Sequence, residues 1–201
     1  MSVIKRILKV ILTIIILLIL LFVLLIGYLS VREYKPAAEE PVMVNRVGDG
    51  EEAGMPVSGD TIRIVSWNTG YGALGETADF FMDGGTHVMT ADKALVEENV
   101  SAIVRDLERF DADIVLLQET DRDSRRSHHI DEVSRITASL AEAAGTPESP
   151  GVVNWSFANN YLAPFVPFPV PPIGKVDSGI LTVTSYPVTE SVRISLPCPF
   201  S

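Results

Sequence analysis

Residues 61–69 read TIRIVSWNT, and residues 113–121 read DIVLLQETD. The first stretch is a β-branched run from Thr61 to Trp67 closed by Asn68-Thr69-Gly70, the composition of a short strand entering a turn. The second is a continuous apolar run of strand length, Ile114 to Leu117, which predicts a strand buried on both faces. Between them Val96, Val100, Ile103, Val104 and Leu107 recur at steps of three and four. That period predicts an amphipathic helix from about Asp92 to Arg109.

Working toward the C-terminus, Val133, Ile136, Leu140 and Ala144 signal a second helix, with Asp131 as its start and Gly145 as its stop. Ser156 to Leu162 reads as a strand, and the five prolines between Pro164 and Pro172 predict an irregular or polyproline-like segment. Ser178–Ser185 and Val188–Leu196 read as a hairpin around Tyr186-Pro187. The Gly-rich stretch from Gly70 to Gly85 reads as a loop. Strand, helix, strand, helix and then several strands make an α/β protein with a mixed sheet and helices on an outer face.

Toward the N-terminus, residues 10–29 form a twenty-residue run without charge, the span of a bilayer core. Lys5, Arg6 and Lys9 precede it, so residues 1–9 are expected to stay in the cytoplasm and the remainder to be exported. The run is longer than the 7–15 apolar residues of a cleaved signal and exits without an Ala-x-Ala pattern, which favours an uncleaved anchor. Residues 30–60 are rich in Pro, Gly, Glu and Ala and read as a linker. All 26 acidic residues but only thirteen of the 16 basic ones follow the run, so the exported part carries a formal charge of −13. That balance gives no steering toward nucleic acid. The single cysteine, Cys198, excludes an internal disulfide and a zinc cluster.

Asn68 and Glu119 stand at the ends of the two most apolar strands. If those strands are neighbours joined by the helix, both side chains emerge at one edge of the sheet, where open α/β sheets place ligand sites. A carboxylate and an amide there suit a hard cation such as Mg²⁺, which takes one or two protein carboxylates and fills its other positions with water and substrate phosphate. An Asx turn at Asn68 and a solvated strand end at Glu119 account for the same residues without a ligand. The basic cluster Arg122, Arg125, Arg126, His128 and His129 reads either as a phosphate grip, with Arg126 and His128 as its candidates, or as a loop paired with Asp121, Asp123 and Asp131.

The segments Ile64-Val65-Ser66-Trp67-Asn68-Thr69 and Asp113-Ile114-Val115-Leu116-Leu117-Gln118-Glu119-Thr120-Asp121, in that order and at that spacing, resemble the two N-terminal motifs of the endonuclease/exonuclease/phosphatase superfamily. Asp177-Ser178-Gly179-Ile180-Leu181 through Ser185-Tyr186-Pro187-Val188 is similar to a later strand of that family. The resemblance implies a four-layer α/β/β/α sandwich, of which residues 61–201 are the N-terminal part, and a Mg²⁺-dependent phosphodiester hydrolase site, with Mn²⁺ as a substitute metal. It makes Glu119 the metal ligand and Asn68 a holder of metal or scissile phosphate. The substrate class is then a phospholipid headgroup or nucleic acid; no protein partner is predicted.

The family's later motifs are a strand histidine, a Gly-Asp-x-Asn segment and a terminal Asp-His pair, and none is found in this sequence. Residues 61–201 number 141, whereas sandwiches of this class run to about 200–250 residues. A C-terminally truncated and inactive domain is therefore expected. Without the histidine alone the rate falls about 10²–10⁴-fold. A non-catalytic, membrane-anchored binding module of the same fold is the alternative function.

Overall fold

In the computed structural model, which describes residues 3–145 and 151–197, the chain runs α1 (Val3–Val31), β1 (Glu39–Pro41), β2 (Val44–Val47) and β3 (Ile64–Asn68). It continues through α2 (Lys93–Phe110), β4 (Ile114–Asp121), α3 (Glu132–Ala143), β5 (Val153–Val166), β6 (Gly174–Thr184) and β7 (Val192–Ile194). Two units are distinguished, Met1–Tyr34 and Lys35–Ser201. The first holds α1, 29 residues with mean hydropathy 3.5 in its most apolar window and no buried residue. At 1.5 Å per residue that is about 43 Å, long and apolar enough to cross a membrane and also compatible with a signal sequence. It overruns the expected residues 10–29 at both ends because Lys5, Arg6 and Lys9 do not break a helix.

The second unit is mixed α/β. Five strands form one sheet in the order β2-β5-β6-β4-β3, and β1 pairs with β7 in a separate two-stranded sheet. β3 and β4 are parallel, Ile64 opposite Ile114 and Asn68 opposite Gln118, so α2 is the crossover that the spacing predicts. Asp92 caps α2 by accepting from the Leu95 N–H at 2.9 Å, and Asp131 caps α3 by accepting from Ser134. Such caps satisfy otherwise orphaned amides. Ile103 and Leu107 of α2 and Val133 and Ile136 of α3 pack on Val115, Leu117, Leu181, Val183 and Phe157 of the sheet. Leu117 and Leu181 are fully buried, each contributing about 1.5–3 kcal/mol.

Helices cover only one face, and this corrects the expectation for β4. Val115 and Leu117 are buried, whereas Ile114 and Leu116 are half-buried, because alternate side chains point to opposite faces. On that second face Ile64 is 58% exposed and Ile180 43%.

Three further expectations change. Residues 30–60 are not a linker throughout: β2 pairs antiparallel with β5, Val44 opposite Ser156, and Glu39–Pro41 pairs with Val192–Ile194. The Val188–Leu196 segment therefore finds its partner near residue 40 and not in a hairpin with Ser178–Ser185. Strands of three or four residues on sheet edges are too short to show a period, and their partners lie more than a hundred residues away. The strand expected at Ser156–Leu162 is longer, reaching Val166 and pairing with β6 as far as Gly174, so the irregular proline segment starts only after it. Met1, Ser2 and Cys198 lie outside the described residues.

Candidate active site at the end of the parallel strands

The parallel register puts Asn68 beside Gln118, one residue short of Glu119. Glu119 sits where the pairing of β4 with β6 shifts between Leu117 and Thr120, and its φ is +54°. A bulge of this kind re-aims a side chain at the end of a strand. Thr69 clamps it: the Thr69 hydroxyl donates to the carbonyls of Gln118 (3.1 Å) and Glu119 (3.2 Å), and its N–H donates to Gln118 at 3.0 Å. Left-handed backbone at a residue with a Cβ costs about 1–2 kcal/mol. Glu119→Gly is therefore expected to be more stable than Glu119→Ala by about 1 kcal/mol in urea unfolding. Equal stabilities would show that position 119 carries no strain.

Asn68 and Glu119 line one cavity of about 460 Å³, together with Thr69, Gly70 and Asn99. The Asn68 Oδ1 accepts from the Gly70 N–H at 2.9 Å, so the Asx turn exists. It leaves one Oδ1 lone pair and both Nδ2 hydrogens for a ligand. Gly70 and Gly72 have φ of +53° and +62°, and a Cβ on Gly72 would lie 2.7 Å from Val100 Cγ2. Only glycine permits this approach of the loop to α2.

Glu119 also borders a second cavity of about 350 Å³, lined by Tyr71, Phe80, Tyr161 and Arg126. Arg126 is held on three sides. Its Nε and Nη2 donate to the two oxygens of Asp121 at 3.1 and 3.0 Å, Nη2 also donates to Ser178 Oγ, and its guanidinium lies 3.7 Å from the Tyr71 ring centre. Ser127 adds a hydrogen bond to Asp121, which is wholly buried. Arg126 therefore reaches the candidate site as part of a fixed ion pair and not as a free phosphate grip.

His128 lines neither cavity; its Nε2 meets the Ala91 carbonyl at 2.9 Å. His129 pairs with Asp123, His87 with Asp79, and Arg122 with Asp177. The basic cluster is thus largely a paired loop.

Beneath the site, Glu132 is 1% exposed and accepts from the Asp121 N–H at 3.3 Å. Its Oε1 and the Tyr71 hydroxyl have no hydrogen-bond partner among the described residues. Burial, followed by the Asp121 carboxylate, holds the Glu132 carboxyl well above the ordinary range. The folded chain then binds a proton that the unfolded chain releases, so stability falls as pH rises from the unfolded carboxylate range toward the folded value. Between pH 5 and 8 the urea midpoint of the native chain should decline, and that of Glu132→Gln should decline less. Parallel pH curves for the two would exclude a proton held at Glu132.

Among the described residues no group of three or more His, Cys, Asp or Glu is placed to hold a metal. The oxygen donors that line the first cavity are the carboxylates of Glu119 and Asp106 and the side-chain amides of Asn68 and Asn99. The sequence left Tyr71, Asp121 and Glu132 out of the candidate site. Asp121 lay within the quoted DIVLLQETD run, and Tyr71 was signalled only by its flanking glycines. No family model, curated protein or solved structure matches the chain.

Proposed function

We propose that the chain belongs to a membrane-anchored, extracytoplasmic, Mg²⁺-dependent phosphodiester hydrolase of the endonuclease/exonuclease/phosphatase type, and that Asn68 and Glu119 give it residual turnover in place of the full inactivity expected from the missing later motifs. The observation that carries this reading is the meeting of Asn68 and Glu119 in one cavity at the end of neighbouring parallel strands. The open sheet face bearing Ile64 and Ile180 suits the packing of a second sheet, which would complete a four-layer sandwich. Lys5, Arg6 and Lys9 ahead of α1 favour a cytoplasmic N-terminus and a single pass. The charge of the exported part and its tether favour a phospholipid headgroup over nucleic acid.

Glu119 and Asn68 would hold the cation, which when bound neutralises charge developing on the phosphate oxygens. The Asn68 Nδ2 hydrogens orient the same phosphate, and the Asx turn fixes the rotamer that presents them. Thr69 keeps the Glu119 carboxylate at the mouth of the bulge. Water would attack phosphorus in line with the leaving oxygen; the P–O bond to that oxygen breaks, the released oxyanion takes a proton from solvent, and the proton of the attacking water passes to solvent, since none of the three histidines lines either cavity. Turnover is accordingly about 10²–10⁴-fold below that of a site with a general base.

The same observation about the histidines favours, as a second reading, a non-catalytic module that binds phosphodiesters. The full chain in nanodiscs, given bis(4-nitrophenyl) phosphate, should release nitrophenol only with Mg²⁺ or Mn²⁺, and Glu119→Ala should lower the release about 10²–10³-fold. Metal-dependent binding without release would select the module. Release unaffected by Glu119→Ala would show that the motif has been misassigned.

A further inference from the structure

Glu119 and Leu74 border both cavities: the one containing Asn68 and the one containing Tyr71. A phosphorus centre held by a cation at Glu119 would therefore have a separate recess on each side. A phosphomonoester has one ester arm and would leave one recess filled with water, whereas a diester has an arm for each.

The recesses differ in chemistry. On the Asn68 side, beside Trp67 and Ile103, Asn99 Nδ2 donates to the Gly72 carbonyl at 2.8 Å, which leaves its Oδ1 as an acceptor, and Asp106, paired with Arg109 at 3.2 Å, adds a carboxylate. Acceptors of this kind suit an arm that carries hydroxyl groups. On the other side Tyr71, Phe80 and Tyr161 are joined by Met82, Val88 and Ile173, a wall made mostly of rings and apolar side chains that Asp83 and Asn160 interrupt. Phe80 stands edge-on to Tyr71 with ring centres 6.4 Å apart, a geometry in which aromatic rings pack favourably. The Arg126 charge in that recess is already matched by Asp121, so it does not demand a second anion there.

We propose, on the reading of Glu119 as a ligand of the cation that holds the phosphate, that the two recesses take the two unequal arms of one phosphodiester. The apolar or aromatic arm lies against Tyr71, Phe80 and Tyr161, and the hydroxyl-bearing arm lies beside Asn68 and Asn99. Specificity then resides in the Tyr71 recess, because burying an apolar arm there adds affinity that a methyl group cannot supply.

Two monoanions whose only leaving group is the poor methoxide separate the possibilities: methyl phenylphosphonate, with one aromatic arm, and dimethyl phosphate, with none. Calorimetry on the full chain in nanodiscs with Mn²⁺ should show the phenyl compound binding about tenfold tighter or more. Tyr161→Ala and, separately, Ile173→Ala should shrink that ratio to about threefold or less. Tyr161 is 41% exposed, so its truncation is tolerated by the fold. Mn²⁺-dependent binding of both compounds with equal affinity overturns the assignment of arms and leaves the hydrolase reading standing. A preference that survives both substitutions also overturns it, since the ring then lies elsewhere. Absence of Mn²⁺-dependent binding of either compound overturns the hydrolase reading and this inference together.

Discussion

Glu119→Ala is expected to leave the domain folded while lowering metal-dependent diester cleavage about 10²–10³-fold, the loss typical of one preorganised electrostatic contact. The fold should survive because Glu119 is half-buried and is held by its backbone: Thr69 meets its carbonyl and not its carboxylate. The carboxylate lies between the two cavities and is, among the described residues, the only charged side chain to line both. Its removal therefore takes away the one anionic donor that serves both recesses. Steady-state rates with Mg²⁺, alongside circular dichroism of the variant, check the result. A variant that loses activity only in proportion to lost structure would assign Glu119 a structural role instead.

Asp121→Ala should produce the largest loss of stability of any substitution considered. Asp121 is wholly buried and accepts from Arg126 twice and from Ser127 once. Truncating it strands a guanidinium whose side chain is only 14% exposed. Breaking a buried pair in this way costs about 3–5 kcal/mol, a large share of the ~5–15 kcal/mol that holds a domain together. Tyr71, stacked beneath the guanidinium, would lose its cover, so the second cavity should open as well. Arg126→Met in the same background removes the stranded charge and is expected to restore much of the loss. Urea unfolding followed by tryptophan fluorescence measures all three forms. A cost below about 1 kcal/mol for Asp121→Ala would mean that the pair is solvated, as surface pairs are.

The frame of the site was legible because it rests on local signals. The period of Val96, Val100, Ile103 and Leu107 marked α2, Asp92 and Asp131 marked helix starts, and the two apolar runs marked adjacent strands whose ends carry Asn68 and Glu119. What escaped was non-local. β2 is four residues long and derives its order from β5, over a hundred residues away in sequence. The segment at Val192–Ile194 pairs with Glu39–Pro41, a contact that no turn signal announces. The two faces of β4 were also indistinguishable in sequence, since an apolar run reads alike whether one side or both are covered. Arg126 was visible as a cation near Glu119. Its commitment to Asp121 was not, because five residues of separation across a loop define no geometry until Ser124 to His129 folds back on the strand end.

The central claim is that Glu119 organises a single hard-cation site on this chain. A Mn²⁺ titration followed by electron paramagnetic resonance tests it most directly, with the full chain in nanodiscs beside Glu119→Ala and the exposed-helix control Glu98→Gln. One saturable site in the native chain and in Glu98→Gln, weakened at least tenfold in Glu119→Ala, is the predicted outcome. Equal binding by all three proteins, or no saturable site in any of them, would contradict it.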